Sequence, residues 1–254
     1  MKRLLDRLER EPKLLSIYAT AGYPHYNDTL TVLKTLEQSG VDLIEIGMPF
    51  SDPLADGPTI QESSSRSLAN GMTTERLFQQ LEGIRREINI PLILMGYFNP
   101  VFQFGVEAFL KKANEIGVDG IILPDLPLEV YQREYQHLFE QYDLSMIFLI
   151  TPQTPEKRIR EIEAASTSFI YMVSSSSTTG VQEGFGEDNL AYFKRIEAMK
   201  LKVPTLVGFG ISNATTFEQA TRHSKGAIIG SAFIKAITAS GIETIPTFVE
   251  DLRK

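Results

Sequence analysis

The length, composition and charge of the chain define its broad class. It has 254 residues, enough for one or two domains, and single α/β barrels of about 250 residues are common. Hydrophobic residues make up 43% and charged residues 22%, the balance of an ordinary globular protein. The absence of cysteine excludes disulfides, thiolate nucleophiles and Cys-ligated metals. A net charge of −7 without a Lys/Arg cluster argues against nucleic acid as a partner.

The N-terminal segment from Met1 to Pro12 alternates charged residues with leucine. Leu4, Leu5 and Leu8 fall on one helical face, so we expect a short amphipathic helix that covers an apolar surface. The segment lacks the uninterrupted apolar stretch of a signal peptide, and no later apolar run is long enough to span a bilayer. We therefore predict a cytoplasmic protein that does not contact a membrane.

Eight short apolar runs, separated by amphipathic segments, are the main pattern of the chain. Each run is bounded by Gly, Pro or Asp and most are rich in Ile, Leu and Val, which is typical of strands buried on both faces. The runs are Leu14–Tyr18, Val41–Ile46, Pro91–Met95, Gly120–Leu123, Ser145–Ile150, Phe169–Val173, Val203–Val207 and Ala227–Ile229.

The segments between the runs have helical spacing. Apolar side chains recur at intervals of three or four in residues 106–116 and again in residues 30–36, which places them on one helix face. Thr154 and Pro155 before Glu156 predict an N-cap followed by proline at the first helical position. Three glycines stand where helices are expected to end: Gly40, Gly71 and Gly117.

The alternation of strands and helices predicts the fold. Eight such units favour parallel pairing with right-handed crossovers, and hence a single-domain (β/α)8 TIM barrel over residues 1–254 with a short N-terminal helix. An open doubly wound sheet is the alternative if one strand is lost. No G-x-G-x-x-G follows the first strand, which argues against a dinucleotide-binding fold. In a barrel the active site lies at the C-terminal ends of the strands.

Glu45 is the most informative residue for chemistry, because it lies inside the second apolar run. Leu43, Glu45 and Gly47 share one strand face by the two-residue period, which places the Glu45 side chain in the barrel lumen near its functional end. Burial there raises the pKa of a carboxyl group and makes it a proton carrier near neutral pH. The alternative is a buried ion pair within the barrel.

Asp56 and Tyr171 are the next candidates. Asp56 lies in a proline- and glycine-containing loop after the second strand, where its carboxylate could bind a substrate N–H or simply cap a turn. Tyr171 lies in the sixth run and should share a face with Phe169 and Val173. Its phenol could bind the substrate or the Glu45 carboxyl, and the alternative is a core tyrosine with a satisfied hydroxyl.

Three glycine-containing stretches late in the chain are candidates for a phosphate site. The second and third follow the seventh and eighth strands and precede helices, where backbone N–H groups and a helix N-terminus bind phosphate in barrels. Glycine also lets the backbone approach an anion closely. The stretches are Ser177–Gly180, Gly208–Ser212 and Gly230–Ala232.

Other chemistries find little support in the sequence. No His/Asp/Glu cluster has metal-ligand spacing, and there is no Gly-x-Ser-x-Gly nucleophile elbow. Lys13, Lys202 and Lys225 stand just before strands, at the opposite end of the barrel from the active site. Aldolase chemistry through a lysine Schiff base is therefore disfavoured.

The segment from Asp42 to Pro58, DLIEIGMPFSDPLADGP, resembles the signature of tryptophan synthase alpha chains. A match of this length is highly specific, and the resemblance runs along essentially the whole chain. Its other parts are Thr20–Pro24, Met95–Pro100, Pro124–Pro127, Gly208–Ser212 and Gly230–Ala232.

The resemblance implies a lyase that splits indole-3-glycerol phosphate into indole and glyceraldehyde 3-phosphate in tryptophan biosynthesis. Glu45 would protonate indole C3, Asp56 would bind the indole N–H, and Tyr171 would contact the substrate and Glu45. The implied phosphate-binding residues are Thr179, Gly180, Phe209, Gly210, Gly230 and Ser231. The implied lining of the indole pocket is Tyr18, Met95, Ile122 and Ile150.

The resemblance also implies a partner. This chain would carry no cofactor, while a beta chain would carry pyridoxal phosphate and consume the indole in an alpha2-beta2 heterotetramer. Loop residues around Pro53, Asn99 and Asp125 would face that beta chain. One loop departs from the family, because this chain has Ser175 and Ser177 where many members have an arginine and a glycine. The resemblance therefore does not extend to the family's usual lid closure or to its coupling with the partner.

Three other functions compete with this interpretation. A stand-alone indole-3-glycerol phosphate lyase would have the same fold and chemistry without a partner. Another phosphate-binding barrel enzyme, such as an isomerase or decarboxylase, would usually place a lysine or other acids at strand ends. A barrel that only activates a beta chain would explain the altered loop, but the presence of both Glu45 and Asp56 argues against it.

Overall fold

The computed structural model of the protein describes residues 1–174 and 184–254. In these ranges the strands are β1 Leu14–Thr20, β2 Leu43–Gly47, β3 Leu92–Met95, β4 Gly120–Ile122, β5 Ser145–Ile147, β6 Leu149–Ile150, β7 Ile170–Val173, β8 Thr205–Gly208 and β9 Gly226–Ile229. The first helices are α1 Lys2–Arg10, α2 Asp28–Gln38, α3 Pro58–Ala69, α4 Thr74–Leu81, α5 Phe98–Phe104, α6 Val106–Ile116 and α7 Leu128–Val130. The later helices are α8 Gln136–Gln141, α9 Glu156–Ala165, α10 Glu187–Ala198, α11 Ala214–Thr221, α12 Ser231–Ser240 and α13 Ile245–Leu252.

The strands form one parallel sheet that closes on itself. Its order is β5-β4-β3-β2-β1-β9-β8-β7-β6, so the two strands at its ends are consecutive in the chain. Only Phe148 separates β5, which pairs with β4, from β6, which pairs with β7. The predicted barrel is confirmed. The short last strand, β9, joins β8 to β1 and thereby excludes the open doubly wound sheet.

The fifth predicted strand differs from the observed one in its pairing. Residues 145–150 were expected as one strand, but the structure has β5 and β6 with a switch of partner at Phe148. The Phe148 carbonyl still accepts a hydrogen bond from the Tyr171 N–H at 2.9 Å. The chain therefore stays extended while its hydrogen bonds pass from β4 to β7, which is what closes the barrel.

The N-terminal helix α1 covers the bottom of the barrel, at the N-terminal ends of the strands. Leu4 and Leu8 are buried as predicted. Arg3 donates to the buried Asp119 at 2.9 Å, just before β4, and Arg7 donates to Asp42 at 3.2 Å, just before β2. With this end covered, the opposite end of the lumen is left for a site.

The helices pack against the outer face of the sheet, and their ends mostly follow the sequence signals. Gly117 ends α6 in the left-handed conformation, with φ +85°. Thr154 is not the N-cap that the sequence predicted: Pro155 holds that position, and the Thr154 hydroxyl instead accepts from the Thr151 N–H at 2.9 Å. Within the described ranges, no helix is long and apolar enough to cross a membrane.

Candidate active site

A cavity of about 290 Å³ opens at the C-terminal end of the barrel, where the sequence places the site. It is formed by strand ends and by the loops that follow β2, β8 and β9. Its lining residues are Tyr18, Asp56, Gly57, Pro58, Thr59, Ile60, Met95, Tyr171, Phe209, Gly210, Ile211, Ile228, Gly230, Ser231 and Lys235. The lining therefore combines aromatic and aliphatic side chains with glycine-containing turns.

Glu45 lies in the lumen just below this cavity. It pairs in register with Tyr18 on β1 and with Ile93 on β3, and its side chain is 0% exposed. Neither of its carboxyl oxygens has a hydrogen-bond partner among residues 1–174 and 184–254. The predicted orientation into the lumen agrees with this register, and no basic group in the described chain pairs with the carboxyl.

The surroundings of Glu45 favour its protonated form. Burial raises the pKa of Glu45 from 4.5 to about 8, and the nearby Ser16 hydroxyl opposes this shift only in part. A carboxyl group with such a pKa holds a proton at neutral pH and can release it to a stronger base. The side chain is thus equipped for proton transfer next to the cavity.

Two tyrosines lie across the lumen above Glu45, each over a glycine of the neighbouring strand. A Cβ atom on Gly47 of β2 would overlap with the Tyr18 hydroxyl, and one on Gly208 of β8 would overlap with the Tyr171 hydroxyl. Both glycines are therefore required by close approach. Burial, together with the nearby Glu45 and Asp56, raises the pKa of each phenol, so both remain neutral hydrogen-bonding groups.

Asp56 is held at the cavity by a tyrosine of the next loop. Tyr97 donates its hydroxyl to Asp56 Oδ2 at 3.1 Å, and the Ala55 N–H donates to the same hydroxyl at 2.9 Å. The Tyr97 ring stacks on Phe50, with ring centroids 5.1 Å apart. Burial raises the pKa of Asp56, while the bond from Tyr97 lowers it. Its side chain faces the cavity and makes a tertiary contact, so turn capping does not account for it.

The glycine-containing turns after β8 and β9 form part of the cavity lining. Phe209 and Gly210 both have left-handed backbones, with φ +68° and +72°. The Ser174 hydroxyl fixes this turn by donating to the Phe209 carbonyl at 2.7 Å. Gly230 precedes α12, which has no side-chain cap at its N-terminus, and Ser231 is its first residue. Backbone N–H groups in this arrangement suit an anion.

Lys235 and Tyr97 are two site residues that the sequence analysis missed. Lys235 lies on α12 one turn after Ser231, lines the cavity, and has no hydrogen bond or ion pair with any described residue. It is the sole cationic side chain in the described lining. Tyr97 lay within a segment that resembles the family, but its bond to Asp56 joins two different loops, and no sequence pattern signals that contact.

The residues expected in the indole pocket lie in different surroundings. Tyr18 and Met95 line the cavity, and Ile122 is buried beside Met95 in the register of β3 and β4. Ile150 pairs with Met172, whereas the preceding residue pairs with Tyr171. Since side chains alternate along a strand, Ile150 points away from Tyr171 and toward the outer helices. The structure does not bring Ile150 to the cavity.

The three residues expected to face a partner differ in exposure. Asn99 and Asp125 are exposed, and both Asp125 carboxylate oxygens accept from the Phe98 N–H, at 2.9 and 3.0 Å. Pro53 is buried, but the adjacent Leu54 is 93% exposed.

Four residues named from the sequence lie outside the described residues: Ser175, Ser177, Thr179 and Gly180. Among the residues that are described, no group of three or more His, Cys, Asp or Glu side chains could hold a metal ion. The site therefore consists of two acids, a set of tyrosines, two glycine turns and one lysine.

Comparison with known proteins identifies the family. The profile described as "Tryptophan synthase alpha chain" matches residues 5–251. The chain belongs to the tryptophan synthase alpha chain family. The alpha chain of Christiangramia forsetii is 59% identical over 253 residues, covering 100% of this chain and 99% of the relative. That of Flavobacterium johnsoniae is also 59% identical over 253 residues and covers 100% of both chains.

A solved alpha chain has the same fold. The crystal structure of the tryptophan synthase alpha chain from Legionella pneumophila matches with a TM-score of 0.89 and 31% identity, covering 100% of this chain and 96% of that one. The family predicted from the Asp42–Pro58 signature is thus confirmed.

Proposed function

We propose that this alpha chain cleaves indole-3-glycerol phosphate to indole and glyceraldehyde 3-phosphate, with Glu45 as the acid that protonates indole C3. The observation that carries this assignment is a buried glutamate without a salt-bridge partner among the described residues, directly below a cavity of suitable size. Its volume of about 290 Å³ is close to the lower end of small-molecule pockets, about 300 Å³.

The chemistry of the cleavage requires two groups with different proton affinities. Protonation at C3 makes that carbon tetrahedral, so that the bond to the glycerol chain can break and its electrons return to the ring. As the hydroxyl group on the adjacent glycerol carbon becomes the aldehyde, it gives its proton to the acid. The acid is thereby protonated again, while its first proton stays on C3 of the indole. Glu45, with a pKa near 8, suits this exchange, and Asp56 suits the ring N–H.

The cavity lining offers contacts for both ends of the substrate. The apolar region around Tyr18, Met95 and Tyr171 suits the indole ring, and the turns at Gly210 and Gly230 suit the phosphate. Binding the phosphate far from the reacting bond positions C3 against the acid. Thr179 and Gly180 remain predicted phosphate ligands on the strength of the family resemblance.

Lys235 should strengthen phosphate binding by its charge. In a Lys235→Met variant we expect KM for indole-3-glycerol phosphate to rise about two- to fivefold, since an exposed ion pair contributes about 0.2–1 kcal/mol. Steady-state kinetics at low and high salt measures this, and the difference should shrink as salt screens the charge. Lys111→Met is the matched control, because Lys111 is exposed on α6 and also unpaired among the described residues. Equal KM values in both variants would show that Lys235 does not contribute to phosphate binding.

The family acts with a beta chain, and we propose an alpha2-beta2 heterotetramer in the cytoplasm. The pyridoxal phosphate would belong to the beta chain. Leu54, after β2, and Phe102, in α5 after β3, are the exposed large hydrophobic residues of the described chain, at 93% and 61%. Both follow strand ends at the cavity side, and buried contact with the beta chain would explain their exposure here.

Indole release by the purified chain, with and without a beta chain, tests the proposed function. We expect slow release from the isolated chain and faster release in the complex. Full activity without a beta chain would favour a stand-alone lyase. Absence of release in both conditions, with intact activation of the beta chain, would favour a barrel that only activates its partner.

A further inference from the structure

The lumen below the cavity contains a second polar side chain to which no role has been assigned. Ser16, on β1, is 0% exposed and pairs in register with Leu43 of β2 and Ile228 of β9. Leu43 shares the lumen face with Glu45, and Ile228 lines the cavity, so the Ser16 hydroxyl also points into the lumen. A serine buried in the lumen of a barrel needs a hydrogen-bonding reason.

Buried polar atoms in this part of the lumen lack hydrogen-bond partners. Four buried side-chain atoms of the described chain have no hydrogen-bond partner, and three of them are Ser16 Oγ, Glu45 Oε1 and Glu45 Oε2. A buried polar group without a partner costs about 1–3 kcal/mol, so two such groups close together are expected to satisfy each other. Ser16 is near enough to Glu45 to favour its ionised form.

The other groups that face Glu45 do not offer this contact. The titratable groups near it are the phenols of Tyr18 and Tyr171, which line the cavity together with the Asp56 carboxyl. Ile93 of β3, its other neighbour in register, is apolar. Ser145 is on the same face in register, but its hydroxyl already bonds that of Ser168 at 2.6 Å. Ser16 is thus the unpartnered hydroxyl among the described residues on the side away from the substrate.

We propose that Ser16 is a positioning residue for Glu45. Its hydroxyl forms a hydrogen bond with the Glu45 carboxyl group in the lumen below the cavity. The hydroxyl donates to the ionised carboxylate and accepts from the protonated acid. The bond to the ionised form is the stronger of the two because it is charge-assisted. Ser16 therefore lowers the pH at which Glu45 loses its proton, and it does so without touching the substrate. The catalytic meaning of this effect rests on the function proposed above for Glu45.

The test compares two substitutions that differ only in the hydroxyl group. Threonine and valine have similar shapes, so Ser16→Thr and Ser16→Val add similar volume and only the threonine keeps the hydroxyl. The readout is the titration of the Glu45 carboxyl by infrared difference spectroscopy, which needs no substrate and remains interpretable if the lyase assignment fails. The pH profile of indole release is the second readout.

We expect Ser16→Val to move the Glu45 midpoint upward by about 0.5–1 pH unit, and Ser16→Thr to leave it near that of the natural chain. Ser16→Ala, which cannot overpack the lumen, should shift it in the same direction as valine. Ser145→Ala is the control, because Ser145 is a buried strand serine with its own bond to Ser168 at 2.6 Å. Equal midpoints in the alanine, valine and threonine variants would overturn the proposal.

Discussion

Glu45→Gln is expected to reduce indole release by about 10²–10⁴-fold, the range in which a positioned general acid contributes. Glutamine has nearly the shape of the protonated glutamate but cannot deliver its proton to indole C3. The loss should appear in kcat, with KM little changed, because the phosphate turns at Gly210 and Gly230 remain intact. Single-turnover measurement of indole release from the purified chain gives the effect directly.

The Glu45→Gln variant should also fold at least as well as the natural chain. Burial raises the pKa of native Glu45 to about 8, whereas an unfolded chain keeps it near 4.5. The native state therefore binds a proton that the unfolded state releases between these two values, and stability falls with rising pH in that window. Glutamine removes this dependence. Glu75→Gln, the same substitution at an exposed position of α4, is the matched control and should keep its activity. Near-normal turnover in Glu45→Gln would reject the role of Glu45.

Gly210→Val is expected to weaken binding of indole-3-glycerol phosphate by at least about tenfold, or 1.4 kcal/mol, and to slow the chemical step much less. Gly210 has φ +72°, a conformation in which a β-branched residue is strained. A Cβ atom there would lie 3.1 Å from the Phe185 ring and 3.5 Å from Ser174 Oγ, so crowding adds to the backbone strain and we expect the turn to shift. Since the turn lines the cavity, we expect the shift to misplace the N–H groups aimed at the phosphate.

Gly83→Val separates this effect from general backbone strain. Gly83 has φ +73°, nearly the same as Gly210, and no atom lies within 4 Å of a Cβ placed there. Both variants should lose about 1–3 kcal/mol of stability through strain, measured by urea unfolding. Only Gly210→Val should lose substrate affinity, measured by calorimetric titration with a non-cleavable phosphate analogue. Equal affinity in the two variants would contradict a phosphate site at this turn.

The fold was predictable because the chain repeats a simple physical pattern. Runs such as Pro91–Met95 are apolar throughout, which is typical of a strand covered on both faces, and amphipathic helices separate them. The partner switch at Phe148 was not predictable. A continuous extended segment has the same two-residue alternation whether it bonds to one neighbour or changes from one to another, so only the closed barrel reveals the change.

The candidate site was predictable where it depends on strand periodicity and less so where it depends on contacts between loops. Glu45 and Tyr171 follow from their place in apolar strands that end at the barrel mouth. Ile150 illustrates the limit, because its orientation depends on the register of the very short β6. Lys235 and the bond between Tyr97 and Asp56 were missed because each depends on how a helix or a loop is set against its neighbours.

The site places two acids in different environments, which is useful for a reaction with two proton transfers. Glu45 is enclosed in the lumen without a partner among the described residues, whereas Asp56 is less buried and bonded to Tyr97. The pKa of both is raised by burial, but Tyr97 supports the ionised form of Asp56. Glu45 is thus the better proton donor and Asp56 the better acceptor for a ring N–H.

The central claim, that Glu45 holds a proton at neutral pH, is tested most directly by an infrared pH titration of the natural chain and of the Glu45→Gln variant. This measurement observes the proton on the carboxyl group itself. The Asp56→Asn variant serves to separate the signals of the two acids. We predict a protonated-carboxyl band at pH 7 that disappears with a midpoint near 8 and is absent from Glu45→Gln. A Glu45 carboxyl that is already ionised at pH 7, with a midpoint near the ordinary glutamate value of about 4.3, would contradict the account.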